Sequence, residues 1–321
     1  MLTSKEQLLK EARTAGYKPE MLEKVYRLLD IFQQILSVPY LKERLVLKGG
    51  TALNLFHFEH LPRLSVDIDL NYIGAIDRET MLTEKPVIVD AVHQILIQNQ
   101  FERHRSPIYH AGGKMVWFYN SVLGQRGALE IDLNFMYRQP LYPIVDCSPK
   151  LESHAHWQAP ILDIHELAAG KLSALFSRSV SRDLFDAHYL LTKTDLNTKK
   201  LREAFIVYLA MTTIDLDSLA AETVTYNLTD LKNRLLPVMH QQSLARTLPQ
   251  LKQWATSMVT ELQQALSAIL PLQDKEQAFI QAIRTAGKIT PELITDDKAF
   301  AEKIMTHPAI QWAVKRSMEV R

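Results

Sequence analysis

The chain has 321 residues, room for roughly two domains of about 100–200 residues each, and at 47% hydrophobic it can build a substantial core. Lys and Arg number 37 against 36 Asp and Glu, a net charge of +1, which excludes a globally basic nucleic-acid binder but not a local basic patch. A single cysteine, Cys147, excludes an intramolecular disulfide framework and a multi-cysteine zinc site; with no signal-peptide core and no apolar run of about 18 residues, we expect a soluble, cytoplasmic protein without membrane partners.

Residues 4–37 read as helix. Leu8, Leu9, Ala12, then Met21, Leu22, Val25, Leu28, Leu29, Phe32 and Ile35 recur at helical spacing, with Gly16 and Pro19 marking a break. "ERLVLKGG" reads as a short buried strand ending in a turn, and "TALNLFHF" as a short helix starting there. "LSVDIDLNY" alternates apolar and polar residues, the strand period. Residues 84–100 read as helix, while "KMVWFYNS" and "GALEIDLNFMY" read as strands, each preceded by glycine. The first 140 or so residues thus mix helices with four or five strands. A Pro-rich connector follows, with one strand at Ile144–Val145.

From Asp163, a helix N-cap, the pattern is almost wholly helical. Ser177, Ser179 and Ser181 mark a break, with Ser181 recapping a second helix. Further helices are expected at about 198–211, 215–222, 228–239, 244–268, 274–286 and 296–319, with no solenoid repeat. The expected fold class is α+β. A small mixed sheet with N-terminal helices occupies residues 1–150, and a helical domain, 151–321, completes the active-site cleft.

Chemistry concentrates in "KGGTALNLFHFEHLPRLSVDIDLNY", Lys48 to Tyr72. Alternation puts Asp67 and Asp69 on one strand face, opposite Val66, Ile68 and Leu70. Two carboxylates that close repel unless a cation sits between them, and Mg²⁺ needs few protein carboxylates when phosphate oxygens complete its shell. "LEIDLNF" repeats the alternation, so Asp132 is the expected third carboxylate of a two-metal site, as ligand or as base for the attacking hydroxyl. Gly49 and Gly50 let backbone approach a phosphate. Thr51 adds a hydroxyl, and a helix starting there points free N–H groups at an anion. Singly, a Gly-Gly-Thr is usually a turn and an Asp-x-Asp a solvated strand face. Together and in this order they fit the holding of an NTP and its Mg²⁺ for transfer to a hydroxyl.

Gly49-Gly50-Thr51 followed by Arg63-x-Ser65-x-Asp67-x-Asp69 resembles the AbiEii-type nucleotidyltransferases of the DNA polymerase β superfamily. "KLSALFSRSVSRDLFDAHYLL" is similar to that family's second signature at Lys171, Ala174, Arg178, Arg182, Asp183 and Asp186. The two motifs cover roughly residues 40–195; the last 120 or so residues match only as helical. Sixteen residues separate Gly50 from Asp67, and threonine replaces the superfamily's frequent serine; the AbiEii branch tolerates both. The resemblance implies a toxin of a toxin–antitoxin or phage-defence system, with a cognate antitoxin as partner. It further implies Mg²⁺-dependent transfer of a nucleoside monophosphate to an acceptor hydroxyl, with tRNA as the expected acceptor. A protein or small-molecule acceptor, and a non-catalytic NTP-binding protein, stay open as alternatives.

On one continuous helix Lys171, Arg178, Arg182 and Asp186 fall within a sector of about 80°, and with a break near Ser179 two segments can still present them to one cleft. Lys171 is expected to bind triphosphate charge. Arg178 and Arg182 meet either phosphates or the carboxylates Asp183 and Asp186, and Asp186 braces or contributes to the site. Arg63 and Ser65 touch the nucleotide or brace the turn into the strand. "AAGKLS" lacks the upstream glycine and the following Ser/Thr of a P-loop, and the histidines of "HFEH" and "HAHW" read as surface or packing residues rather than zinc ligands. Trp117 reads as part of a hairpin strand before it reads as a base-stacking platform.

Overall fold

A computed structural model describes residues 4–105, 112–241 and 247–319. The chain forms two compact units, and the division is not one cut near residue 150. The first gathers residues 1–138, 144–162 and 237–244; the second gathers 139–143, 163–236 and 245–321.

The first unit is built on seven strands: β1 (Leu45–Lys48), β2 (Asp67–Tyr72), β3 (Glu102–Arg105), β4 (Gly112–Asn120), β5 (Arg126–Asn134), β6 (Val145–Cys147) and β7 (Ala159–Ile161). Their order is β3-β4-β5-β2-β1-β7-β6. β2 runs parallel to β5 and β1 parallel to β7, and the other pairs are antiparallel, so the sheet is mixed as expected. Ile68, Leu70, Met115, Trp117, Leu129, Ile131 and Leu133 fill the core face. Each such side chain contributes roughly 1.5–3 kcal/mol on burial. A one-residue slip would swap this face for the polar one, so the apolar alternation pins the register that matters below. Trp117, 1% exposed, is core rather than platform.

Around the sheet lie α1 (Lys5–Ala15), α2 (Pro19–Ser37), the short turns α3 (Pro39–Lys42) and α4 (Gly49–Thr51), and α5 (Arg78–Gln98). The break between α1 and α2 falls at Gly16, in the left-handed region, and α2 restarts on Pro19 in its first turn. α2 packs on β2, β5 and α5 through a stripe that includes Leu22, Val25, Leu28, Leu29, Phe32 and Ile35. α5 starts at Arg78, not near residue 84, because Asp77 caps it by accepting the Thr80 N–H at 2.8 Å. Pro86 then sits inside this helix.

The second unit is helical: α6 (Ile164–Arg178), α7 (Ser181–Lys193), α8 (Thr198–Met211), α9 (Leu228–Asp230), α10 (Leu248–Leu266), α11 (Asp274–Gln281), α12 (Lys298–Thr306) and α13 (Pro308–Glu319). Asp163 caps α6 as expected, accepting the His165 N–H at 2.8 Å. Ser181 does not cap α7. It is the first helical residue, and its own N–H donates to the Asp230 carboxylate at 2.7 Å, a cap supplied from distant sequence. The helix expected at 215–222 is two 3₁₀ turns, Leu216–Ser218 and Ala221–Thr223. That expected at 228–239 is α9 followed by a π-helical turn, Leu231–Leu235. That expected at 296–319 is split where Pro308 follows His307. The first residues of the helix expected at 244–268, residues 244–246, lie outside the described ones.

Candidate active site

β1 ends at Lys48, and Gly49 turns the chain into α4 with φ at +74°. That angle favours glycine, and space demands it as well. A Cβ at Gly49 would collide with Oδ2 of Asp69 and come within 3.1 Å of its Cγ. The glycine therefore lets the Asp69 carboxylate lie directly against the turn that opens α4. α4 continues as a π-helical turn, Ala52–His57, so free N–H groups stand at the same turn. Buried Asn54 fixes the turn, its Nδ2 donating to the Gly50 carbonyl at 2.9 Å.

Register builds the rest of the site. Lys48 is level with Asp69, Asp69 with Asp132, and Asp132 with Lys114. One row of four charges thus crosses β1, β2, β5 and β4 at about 4.8 Å per strand, two cations outside two carboxylates. In the next row Asp67 is level with Glu130. Lys114 Nζ bonds Oε2 of Glu130 at 2.6 Å. Burial opposes the Lys114 charge, yet Glu130, Asp67 and Asp69 together hold its pKa above the usual lysine value. Glu130 and Lys114 are the site residues that motif spacing passes over. Glu130 shares a strand face with Asp132, but Lys114 is visible only once β4 is paired with β5.

Thr51, Ser65 and Arg63 are all buried. The Thr51 hydroxyl lies between Ser65 Oγ, at 3.0 Å, and the Asp67 backbone carbonyl. Arg63, 1% exposed, donates from Nη1 to the Leu64 carbonyl at 2.8 Å. Residues 63–64 also bond through the backbone to Val238 and Met239, which pin the entry to β2. Of the histidines set aside as zinc ligands, His57 and His154 pack within this unit, the first ring bonding the Leu162 carbonyl and the second Asp30, while His60 and His156 are exposed.

In the second unit the single helical sector does not exist, because α6 stops at Arg178 and Ser179 turns left-handed at φ +38°. The second motif instead closes on itself. Lys171 Nζ lies 2.9 Å from Asp183 Oδ1 and 2.8 Å from Asp186 Oδ2, and Arg178 Nε lies 2.8 Å from Asp183 Oδ2. Both aspartates are almost fully buried. Burial alone would raise the Asp183 pKa, but Lys171 and then Arg178 hold it below the usual carboxylate range. Arg178 keeps 62% of its side chain exposed, and Arg182 is half-buried in the first turn of α7.

Among the described residues no three His, Cys, Asp or Glu side chains are already gathered as a metal cage. What Asp67, Asp69 and Asp132 offer is hard carboxylate oxygen at neighbouring register positions, the donor type that suits Mg²⁺.

The family model described as "Nucleotidyl transferase AbiEii toxin, Type IV TA system" matches residues 30–284. The chain belongs to this AbiEii family. The match takes in the Gly-Gly-Thr turn, all the β2 and β5 carboxylates and the Lys171 cluster, and runs well past residue 195 where the sequence motifs end. As an AbiEii protein it is a nucleotidyltransferase toxin of a type IV toxin–antitoxin system, which implies an NTP substrate and an antitoxin partner. Its fold is similar to that of MenT4, a nucleotidyltransferase toxin from Mycobacterium tuberculosis H37Rv, with a TM-score of 0.57 at 17% identity over 97% of this chain and 99% of that one. No curated protein sequence matches it significantly. Among the described residues no helix is long and apolar enough to cross a membrane.

Proposed function

We propose that this AbiEii toxin moves a nucleoside monophosphate from an NTP to a hydroxyl of RNA, with tRNA as acceptor and Mg²⁺ as the metal. The observation that carries the proposal is the register of Asp69 with Asp132 beside a glycine turn that only a side chain-free residue can form. When bound, Mg²⁺ would neutralise triphosphate charge and polarise the reacting phosphate. Asp67 and Asp69 would hold it, with Asp132 as third ligand or as base.

In the transfer the acceptor oxygen bonds to the α-phosphorus. The bond from that phosphorus to its bridging oxygen breaks, and pyrophosphate leaves with the electron pair. With Asp132 as base, the acceptor's proton passes to its carboxylate oxygen. The Gly49–Gly50 backbone would receive the phosphates, and Thr51, Ser65 and Arg63 would keep that turn and β2 in register. Lys171, with Asp186 as its brace, and the cations Arg178 and Arg182 would meet phosphate charge. The test offers α-labelled NTPs with total tRNA, a protein mixture or small hydroxyl compounds as separate acceptors. Label on tRNA supports the assignment; label only on protein or small molecules replaces the acceptor and keeps the chemistry.

A further inference from the structure

α2 packs against β2 and β5 on the apolar face, while on β3, β4 and β5 the polar face stays accessible. That face carries more than the carboxylates. Phe118, level with Ala128 and Glu102, is half-buried on it. The His104 ring lies against Phe118 with centroids 4.4 Å apart and planes tilted by 35°, and the Arg126 guanidinium lies 4.5 Å from the Phe118 centroid. Three planar groups from three strands therefore form one ladder. Arg105, level with Val116 across a bulge, adds charge on this face, while Arg103, level with buried Trp117, lies on the opposite one; Glu102, paired with Arg126, is the one acid of β3.

We propose that this ladder is the platform for the single-stranded RNA segment that leads to the acceptor hydroxyl, an inference that presupposes the nucleotidyl transfer proposed above. Bases stack on exposed planar side chains without sequence preference, and arginines beside them meet the phosphates. The reach fits. Four residue steps along β5 carry Ala128 to Asp132, about 13 Å, which is about four stacked nucleotides at 3.4 Å each. A polypeptide adding to the β3 edge is disfavoured, because that edge is Glu-Arg-His-Arg and fully exposed, the charged composition that resists strand addition. On the Phe118 face, Arg105, Arg126 and His104 against Glu102 complement a polyanion.

The experiment measures anisotropy of a labelled short single-stranded RNA without NTP on the full chain, in the wild type, Phe118→Ala and Arg126→Gln, with a DNA strand of the same sequence as a second arm. Photo-crosslinking of the bound RNA then maps the contact. We expect Phe118→Ala to weaken binding about tenfold. Arg126→Gln should lower the salt slope by about one. Crosslinks should fall on β3 and β4. Equal DNA affinity assigns recognition to stacking and phosphate alone; weaker DNA binding adds the 2′-hydroxyl. Arg126 is exposed, so its variant folds even if Phe118→Ala does not. Unchanged RNA affinity in a folded Arg126→Gln protein together with crosslinks elsewhere, or no binding by the wild type, overturns the platform. Binding is read without turnover. Mapped RNA with no nucleotide transfer would therefore defeat the proposed reaction and spare the platform, and transfer with unaltered binding in both variants would do the reverse.

Discussion

Replacing Gly49 with alanine tests how tightly the turn and the carboxylates are built together. At φ +74° an L side chain costs about 1–2 kcal/mol of backbone strain. The new Cβ also occupies the position of Asp69 Oδ2, so the carboxylate must turn away from the α4 turn. A displacement of about 1 Å at a reacting group costs on the order of a hundredfold in rate. Gly124→Ala is the control: its φ is +90°, yet its Cβ would meet nothing within 4 Å, so it carries the strain without the collision. Both variants should lose a few degrees of Tm, at about 2–4 °C per kcal/mol. Only Gly49→Ala should lose about a hundredfold in kcat, measured as incorporation of α-labelled NTP into acceptor. A Gly49→Ala enzyme at the wild-type rate would show that Asp69 does not need to lie against that turn.

The other charges give separate expectations. Lys114→Met removes the cation that competes with a metal for the carboxylates, so Mn²⁺ binding without NTP should tighten about fivefold, on the order of 1 kcal/mol for a partly exposed pair; titration by calorimetry reads this, and weaker binding would contradict it. Lys171→Met leaves Asp183 and Asp186 buried without their shared cation and should cost about 3–5 kcal/mol in urea unfolding, with Asp186→Asn in the same chain recovering part of the loss. Glu166, buried in the first turn of α6, is pushed up from 4.5 to about 7 by desolvation, against the N–H groups of Tyr142 and Leu141 and the Tyr208 hydroxyl, which favour its charged form. The folded state then holds that proton more tightly than the unfolded one. Its stabilisation is full below about pH 4.5 and fades as pH rises through about 7, by about 3 kcal/mol. Urea midpoints measured across that window should fall in the wild type and flatten in Glu166→Gln; identical slopes would refute the assignment.

The two strands that carry the carboxylates are legible because each alternates apolar and polar residues along its length, which fixes side as well as type, although β2 buries both faces at its end, at Asn71 and Tyr72. Asp67, Asp69, Glu130 and Asp132 follow from that period alone. Their partner Lys114 does not, since strand pairing is a long-range fact that no local pattern encodes. β3 was missed because Glu102–Arg105 has no apolar residue to alternate, and β7 because Pro160 argues against a strand. The family motif named Lys171, Arg178, Asp183 and Asp186 without geometry. Their closure into one ion-pair cluster depends on Ser179 turning left-handed, a conformation uncommon outside glycine and unmarked in sequence. Arg63 and Ser65 carry two readings in the sequence, nucleotide contact or bracing, and their burial is a tertiary fact that no local pattern shows.

The most direct measurement incubates the purified protein with Mg²⁺, tRNA and each of the four NTPs, labelled in parallel at the α or the γ phosphate, beside an Asp67→Ala protein of unchanged circular dichroism. Label from the α position should appear on tRNA with the wild type and vanish with Asp67→Ala. Label from the γ position, or α-label undiminished in Asp67→Ala, would contradict nucleotidyl transfer by the carboxylates of β2 and β5.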